Sequence, residues 1–258
     1  MKIFNELIDV VYPPRCHICH GFLREDPSEN RSGFFCQTCS DDFMRISSPI
    51  CPVCCTPLEM SQEDHLCEDC LRKRPHYTAA YACYHYDGAI KDAIHQFKYG
   101  SKSFMSRSLG PLLAAFAENL ALTVHQQGNA TCRWFQEKDQ LVIIPVPLHP
   151  KRLKERGFNQ SLLLADHVAV RLGAELDFIS LRRVKYTVPQ TGLGKEARRK
   201  NVNRAFEVIN SQAVKGKTVF LVDDVATTGN TVNECARILK RSGCSDVFCL
   251  VLAKAGQL

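Results

Sequence analysis

Val219-Phe220-Leu221-Val222-Asp223-Asp224-Val225-Ala226-Thr227-Thr228-Gly229-Asn230-Thr231 is the stretch that decides how this chain folds. Its first four residues read as a buried strand, two adjacent acids follow, and a hydroxyl-rich turn opens a helix expected from Thr231 to Arg241. Each part has a chemical use. Backbone amides of Ala226, Thr227, Thr228, Gly229 and Asn230, pointing from a helix N-terminus, suit a phosphate monoester, and the hydroxyls of Thr227, Thr228 and Thr231 add donors. The carboxylates of Asp223 and Asp224 suit a ribose diol or a hydrated divalent ion. Together they describe a ribose 5-phosphate. An ordinary strand-turn-helix with a capping Asp or Thr competes with this, and the thirteen-residue pattern as a whole argues against it.

The flanking sequence supplies the rest of a layered domain. Leu141 to Val146 is a continuous β-branched run, as expected of a strand buried on both faces. Helical spacing predicts helices over Ala89–Tyr99, Leu109–Val124 and Ser161–Leu172. Further strands are expected at Tyr77–Tyr86, as one strand or a hairpin, at Leu176–Ile179 and at Val247–Leu252. Alternating strands and helices imply an α/β fold with a doubly wound parallel sheet and a ligand site beyond the carboxyl ends of its strands. Lys151, Arg152, Lys154 and Arg156 follow the Leu141 strand, a density of cations that suits a diphosphate. The aperiodic segment from Arg182 to Arg204 carries Lys195, Arg198, Arg199 and Lys200. A solvated basic face, or phosphate contacts to nucleic acid, is the competing explanation for both runs. Two motif matches are rejected. Gly192 to Ala197 fits the dinucleotide pattern without a preceding strand, and Gly216-Lys217-Thr218 precedes a strand where a P-loop precedes a helix.

The N-terminal quarter has a different chemistry. Of fourteen cysteines, eight fall in four CxxC pairs: Cys16/Cys19, Cys36/Cys39, Cys51/Cys54 and Cys67/Cys70. Two such turns complete a tetrahedral thiolate set around Zn²⁺, so the pairs predict two structural zinc sites. Two sequential ribbons are the simplest count, each spacing being long enough for a hairpin that brings its knuckles together; the sequence leaves open an interleaved pairing of first knuckle with third and second with fourth. Cys54 is preferred over Cys55 because it keeps the two-residue spacing, and His17, His20 and His65 are read as surface residues. A ribbon module over residues 1–75 and a second domain over 76–258, with its core at about 141–258, follow from the charged run Arg72-Lys73-Arg74-Pro75.

Charge divides along the same line. The whole chain carries +6; residues 1–75 hold eight basic and twelve acidic residues, a net of −4, which leaves +10 for the remainder. That balance suits a phosphate-rich ligand or nucleic acid. Ordinary globular composition, with 45% hydrophobic and 23% charged residues, excludes a fibrous or disordered chain. No apolar run is long enough for a membrane span, and the amphipathic Met1–Tyr12 segment reads as a packing helix, so a cytoplasmic protein is expected.

The Asp223–Thr231 segment resembles the signature of type I phosphoribosyltransferases. Adding the cysteine ribbons, Arg156-Gly157-Phe158-Asn159-Gln160, Gln190-Thr191-Gly192-Leu193, Arg199-Lys200-Asn201 and Ala205-Phe206 makes nearly the whole chain similar to the competence protein F (ComF) and GntX family. The resemblance implies that Asp223 and Asp224 contact ribose hydroxyls of phosphoribosyl pyrophosphate with Mg²⁺. It implies that residues 226–231 bind the 5-phosphate, that Lys151, Arg152, Lys154 and Arg156 belong to a pyrophosphate-binding loop, and that Lys195, Arg198, Arg199 and Lys200 belong to a flexible loop. It further implies a role in natural transformation, DNA uptake or DNA utilisation at the inner face of the membrane, with single-stranded DNA or a DNA-uptake helicase as partner. Two other functions fit the residues: a metabolic phosphoribosyltransferase for an unidentified base, and a zinc-ribbon regulator with a degenerate transferase fold. Intact acids and an intact loop argue against the last.

Overall fold

The computed structural model describes residues 13–23, 35–58, 61–99, 102–126, 140–186 and 202–256. Two short helices, α1 (Gln37–Asp41) and α2 (Glu68–Arg72), belong to the cysteine-rich region. Then come β1 (Ala79–His85), α3 (Gly88–Tyr99), α4 (Ser106–Gln126), β2 (Leu141–Pro145), α5 (Pro150–Arg156), α6 (Gln160–Leu172) and β3 (Glu175–Leu176). The chain continues through β4 (Leu181–Arg183), β5 (Phe206–Val208), β6 (Thr218–Ala226), α7 (Asn230–Arg241) and β7 (Asp246–Lys254).

Five strands form one parallel sheet in the order β1-β7-β6-β2-β3, while β4 and β5 pair antiparallel apart from it. Strands β2, β6 and β7 are apolar at successive positions because both faces of the sheet are covered. Leu141, Ile143, Phe220, Val222, Phe248, Leu250 and Leu252 join one core with α3, α4 and α6. Val142, Ile144, Val219, Leu221, Val247 and Cys249 join the other with α7. This is the expected α/β class. Connections leave β2 towards β3 on one side and return to β6 on the other, so the switch of direction lies between β2 and β6. Ligands of open α/β sheets bind at the carboxyl ends of strands flanking such a switch.

Several elements differ from expectation. The Tyr77–Tyr86 segment is one strand, not a hairpin: β7 lines one side of it, and ribbon backbone meets it through Ile46 N to Cys83 O (3.1 Å), His85 N to Met44 O (2.9 Å) and Ala80 N to Val53 O (2.8 Å). The expected strand at Leu176–Ile179 is the shorter β3, because the Asp177 carboxylate accepts the amides of Ile179 and Ser180 at 2.9 Å and turns the chain. The expected basic loop is helix α5, started by Pro150 in its first turn and by His149 Nδ1 accepting the Lys151 amide at 3.2 Å. The aperiodic segment contains β4 and runs into β5; 187–201, including Lys195, Arg198, Arg199 and Lys200, lie outside the described residues. So do the expected N-terminal helix, Trp134 and Cys132.

Candidate functional site

The cysteines form two clusters. Cys16, Cys19, Cys36 and Cys39 bring their sulfurs within 4.8 Å of one another, and Cys51, Cys54, Cys67 and Cys70 do the same. Pairing is therefore sequential, first knuckle with second and third with fourth. Sulfur separations of 3.6 Å (Cys19–Cys36) and 3.5 Å (Cys54–Cys67) fit the edge of about 3.8 Å expected of a tetrahedron with Zn–S near 2.3 Å. The Ile18 amide donates to Cys16 Sγ at 3.4 Å, as knuckle amides do to offset thiolate charge. The residues present thus fit zinc. Cys55 is buried outside both clusters; His20 and His65 are exposed, and His17 lies edge-on to Phe104, 4.9 Å between ring centres.

The acid pair stands at the carboxyl half of β6, beside the switch point. The Ser161 hydroxyl, in the first turn of α6, donates to Asp223 Oδ1 at 2.8 Å, and the Asp224 amide donates to the same oxygen at 3.0 Å. Lys98 Nζ, from the last turn of α3, lies 2.8 Å from Asp224 Oδ1. Burial, and then the neighbouring Asp224 carboxylate, push the Asp223 carboxyl up to about 7, against the opposing pull of Lys98 and the Ser161 hydrogen bond. When both carboxyls are ionised, one ammonium balances only one of the two charges.

Beyond the acids the chain turns through Gly229, which caps α7 in the left-handed conformation at φ 69°, where an L side chain is strained. Among the described residues no side chain caps this helix. Thr228 Oγ1 and Asn230 Nδ2 are buried with no hydrogen-bond partner among the described residues. Buried polar atoms left in this state are costly, and a ligand that satisfies them is the physical expectation. The neighbouring chain is tied down by the His76 amide, which donates to Asn233 Oδ1 at 2.6 Å.

Across the switch point the Arg156–Gln160 segment has a structural logic. Gly157 ends α5 in the left-handed conformation, and Phe158 packs on Phe97 with centroids 5.6 Å apart. Asn159 caps α6, accepting the Ser161 amide at 3.1 Å while its own amide group donates to Val146 O at 3.1 Å. Arg156 is held by Gln160 at 3.0 Å and over the Tyr99 ring at 5.2 Å, whereas Lys151 and Lys154 are exposed. Lys151 and Arg152 lie over the Tyr186 ring at 4.6 and 5.9 Å, and Arg152 Nη1 is 3.6 Å from Glu155. The four basic residues expected to meet a pyrophosphate thus all lie on one short helix, α5.

Comparison with known proteins follows the same division. A double zinc ribbon domain matches residues 7–71, and a phosphoribosyl transferase domain matches residues 159–258. Competence protein F of Haemophilus influenzae is 31% identical over 246 residues, covering 93% of this chain and 97% of that protein. The chain belongs to the competence protein F family. DNA utilization protein YhgH of Escherichia coli (strain K12) is 33% identical over 218 residues, covering 83% of this chain and 88% of the relative. Competence protein ComFC of Bacillus subtilis (strain 168) is 26% identical over 226 residues, covering 81% and 78%.

Between the two matched domains of this competence protein F family chain lie residues 72–158, and they contribute to the site. Lys98 was not singled out from the sequence, although a signal was there: Ile90, Ile94 and residue 98 fall at i, i+4 and i+8, so a lysine occupies the end of a buried stripe. A cation at such a position calls for a buried partner. Ser161 and Tyr77 carried no comparable signal. A Cβ added to Gly229 would stand 3.6 Å from the Tyr77 hydroxyl, which puts this residue, two positions before β1, against the turn that opens α7.

Proposed function

We propose that this competence protein F family member binds phosphoribosyl pyrophosphate together with Mg²⁺ at the carboxyl edge of its sheet, in the service of natural transformation, DNA uptake or DNA utilisation. The observation that carries this is the pair of unpartnered buried donors, Thr228 Oγ1 and Asn230 Nδ2, in an uncapped helix turn directly after two adjacent carboxylates. In this proposal residues 1–75 form the ribbon module and 76–258 the ligand-binding unit. Residues 226–231 hold the 5-phosphate. Asp223 and Asp224 accept from the ribose hydroxyls, Ser161 and Lys98 fix the orientation of those carboxylates, and Lys151, Arg152, Lys154 and Arg156 face the pyrophosphate. Lys195, Arg198, Arg199 and Lys200 close over it. Two carboxylates against one ammonium form a donor set that suits Mg²⁺, which would supply charge neutralisation of the pyrophosphate. The names of the relatives support the DNA role, and a net charge of +10 beyond residue 75 supports contact with single-stranded DNA or a helicase that carries it. Among the described residues no helix is long and apolar enough to cross a membrane. We place the protein in the cytoplasm, peripheral to the inner membrane.

Calorimetry with phosphoribosyl pyrophosphate and Mg²⁺ tests the ligand, comparing wild type with the Asp223→Ala/Asp224→Ala variant. Binding by wild type and its loss in the variant is expected; equal binding by both would sink the site assignment. A second function, transfer of ribose 5-phosphate to a nitrogen base, uses the same acid pair and is favoured by an Asp223 carboxyl that titrates near neutrality. Pyrophosphate release on adding candidate bases distinguishes it from binding without turnover.

A further inference from the structure

We infer that Lys98 is a positioning residue of the ribose-phosphate site, and that helix α3, pinned at its opposite end by Asp42 of the first ribbon, sets where Lys98 stands. The inference rests on the phosphoribosyl pyrophosphate assignment above. Lys98 Nζ meets Asp224 Oδ1 at 2.8 Å, with side chains only 19% and 8% exposed, so neither charge has water to replace its partner. The ammonium occupies one oxygen of Asp224 and leaves the other to accept from a ribose hydroxyl. It therefore decides which way that carboxylate faces.

The helix behind Lys98 has little freedom. Ile90, Ala93, Ile94 and Phe97 are fully buried, so α3 cannot slide without repacking the core on that face of the sheet. Its last turn meets both halves of the site at once, through Lys98 on Asp224, Phe97 on Phe158 and Tyr99 beneath Arg156. Nine residues before Lys98, about 13.5 Å at 1.5 Å per residue, the first turn is held from the ribbon region. The Ala89 amide donates to Asp42 Oδ2 at 2.7 Å. Gly88, at φ 52°, lies so close that an added Cβ would stand 2.4 Å from the same oxygen. Asp42 itself ends α1, the helix that carries the zinc-cluster residue Cys39. An acid at the helix start and a lysine at its end also both match the helix dipole.

The test is a double-mutant cycle on the full zinc-loaded chain, read by calorimetry with two probes, phosphoribosyl pyrophosphate with Mg²⁺ and inorganic phosphate. Lys98→Met is expected to weaken phosphoribosyl pyrophosphate binding at least roughly tenfold, the loss of a charge-assisted contact, while phosphate affinity stays within about twofold because the 226–231 turn is untouched. Asp42→Ala is expected to weaken phosphoribosyl pyrophosphate binding several-fold with both zinc ions retained. Added to Lys98→Met it should weaken it no further. If Lys98→Met does not fold, Lys98→Gln, which keeps a neutral donor, carries the same comparisons. Unchanged phosphoribosyl pyrophosphate affinity without Lys98 overturns its role, and so does an equal loss for both probes, which marks general damage. Additive losses overturn the link through α3. A wild-type chain that binds neither probe overturns the ligand assignment and this inference with it.

Discussion

In the ribbon region, the buried apolar residues before Tyr77 among the described residues are six cysteines and Phe43; in the α/β unit they are strand and helix residues in two continuous layers. The first region has too little apolar surface to hold itself and depends on eight thiolates around metal. The second depends on area removed from water. The two are not insulated from each other, however. Cys16, Cys39 and Phe43 join the core on the α3 face, and Cys51, Cys54 and Cys70 join the core on the α7 face, so the ribbons sit astride the β1 edge with one on each side. A small metal-held module can thus act as a wall of a larger domain, and its stability is shared with what it touches.

The harshest way to break the contrast is to remove the metal. A strong chelator under reducing conditions should unfold the ribbon region, since structural zinc supplies on the order of 10 kcal/mol of folding free energy in small thiolate sites. Far-UV circular dichroism should keep most of its α/β signal while the thermal midpoint falls. An unchanged midpoint would show that the ribbons hold without metal. A finer cut uses adjacent cysteines. Cys54→Ser should lower bound zinc from two ions per chain to one, whereas Cys55→Ser should leave two, measured by metal analysis of the purified variants. Zinc loss on changing Cys55 would reverse the ligand assignment.

In the α/β unit the corresponding weak point is electrostatic. An Asp carboxyl titrates near 3.9 in an unfolded chain and at about 7 at position 223, so the folded state holds the proton more tightly. This group's contribution is greatest below the unfolded value and is lost as pH rises from about 4 to about 7. Asp223→Asn should therefore gain thermal stability relative to wild type as the pH of the melt is raised through that window. A constant difference across it would remove the burial argument. The smallest expected effect is at a helix start: Asn159→Ala removes the α6 cap and should cost about 1 kcal/mol in a denaturant titration, with bound zinc unchanged.

Both regions were legible in the sequence to different depths. Strands β2, β6 and β7 announce themselves because coverage on both faces demands unbroken apolar runs. The CxxC pairs announce metal because two thiolates at that spacing fit one ion. The choice between sequential and interleaved pairing was not legible, since it depends on which knuckles meet in space. Helix α5 is less legible because its seven residues are too short to show a hydrophobic period, although His149-Pro150 is a helix-start signal with good helix formers behind it. Lys98 was missed for a related reason: periodicity marked Ile90, Ile94 and Phe97 as core, and the partner that makes a lysine tolerable at the next stripe position lies 126 residues further on, at Asp224.

The outer side of β1 has one more consequence. Seven residues, Ala79–His85, would present an open strand edge to solvent were it not for backbone contacts from Met44, Ile46 and Val53, which the two ribbons hold in place. An uncovered edge of that length is a template for the same strand of another copy. Holding the ribbons in shape therefore also keeps this edge covered.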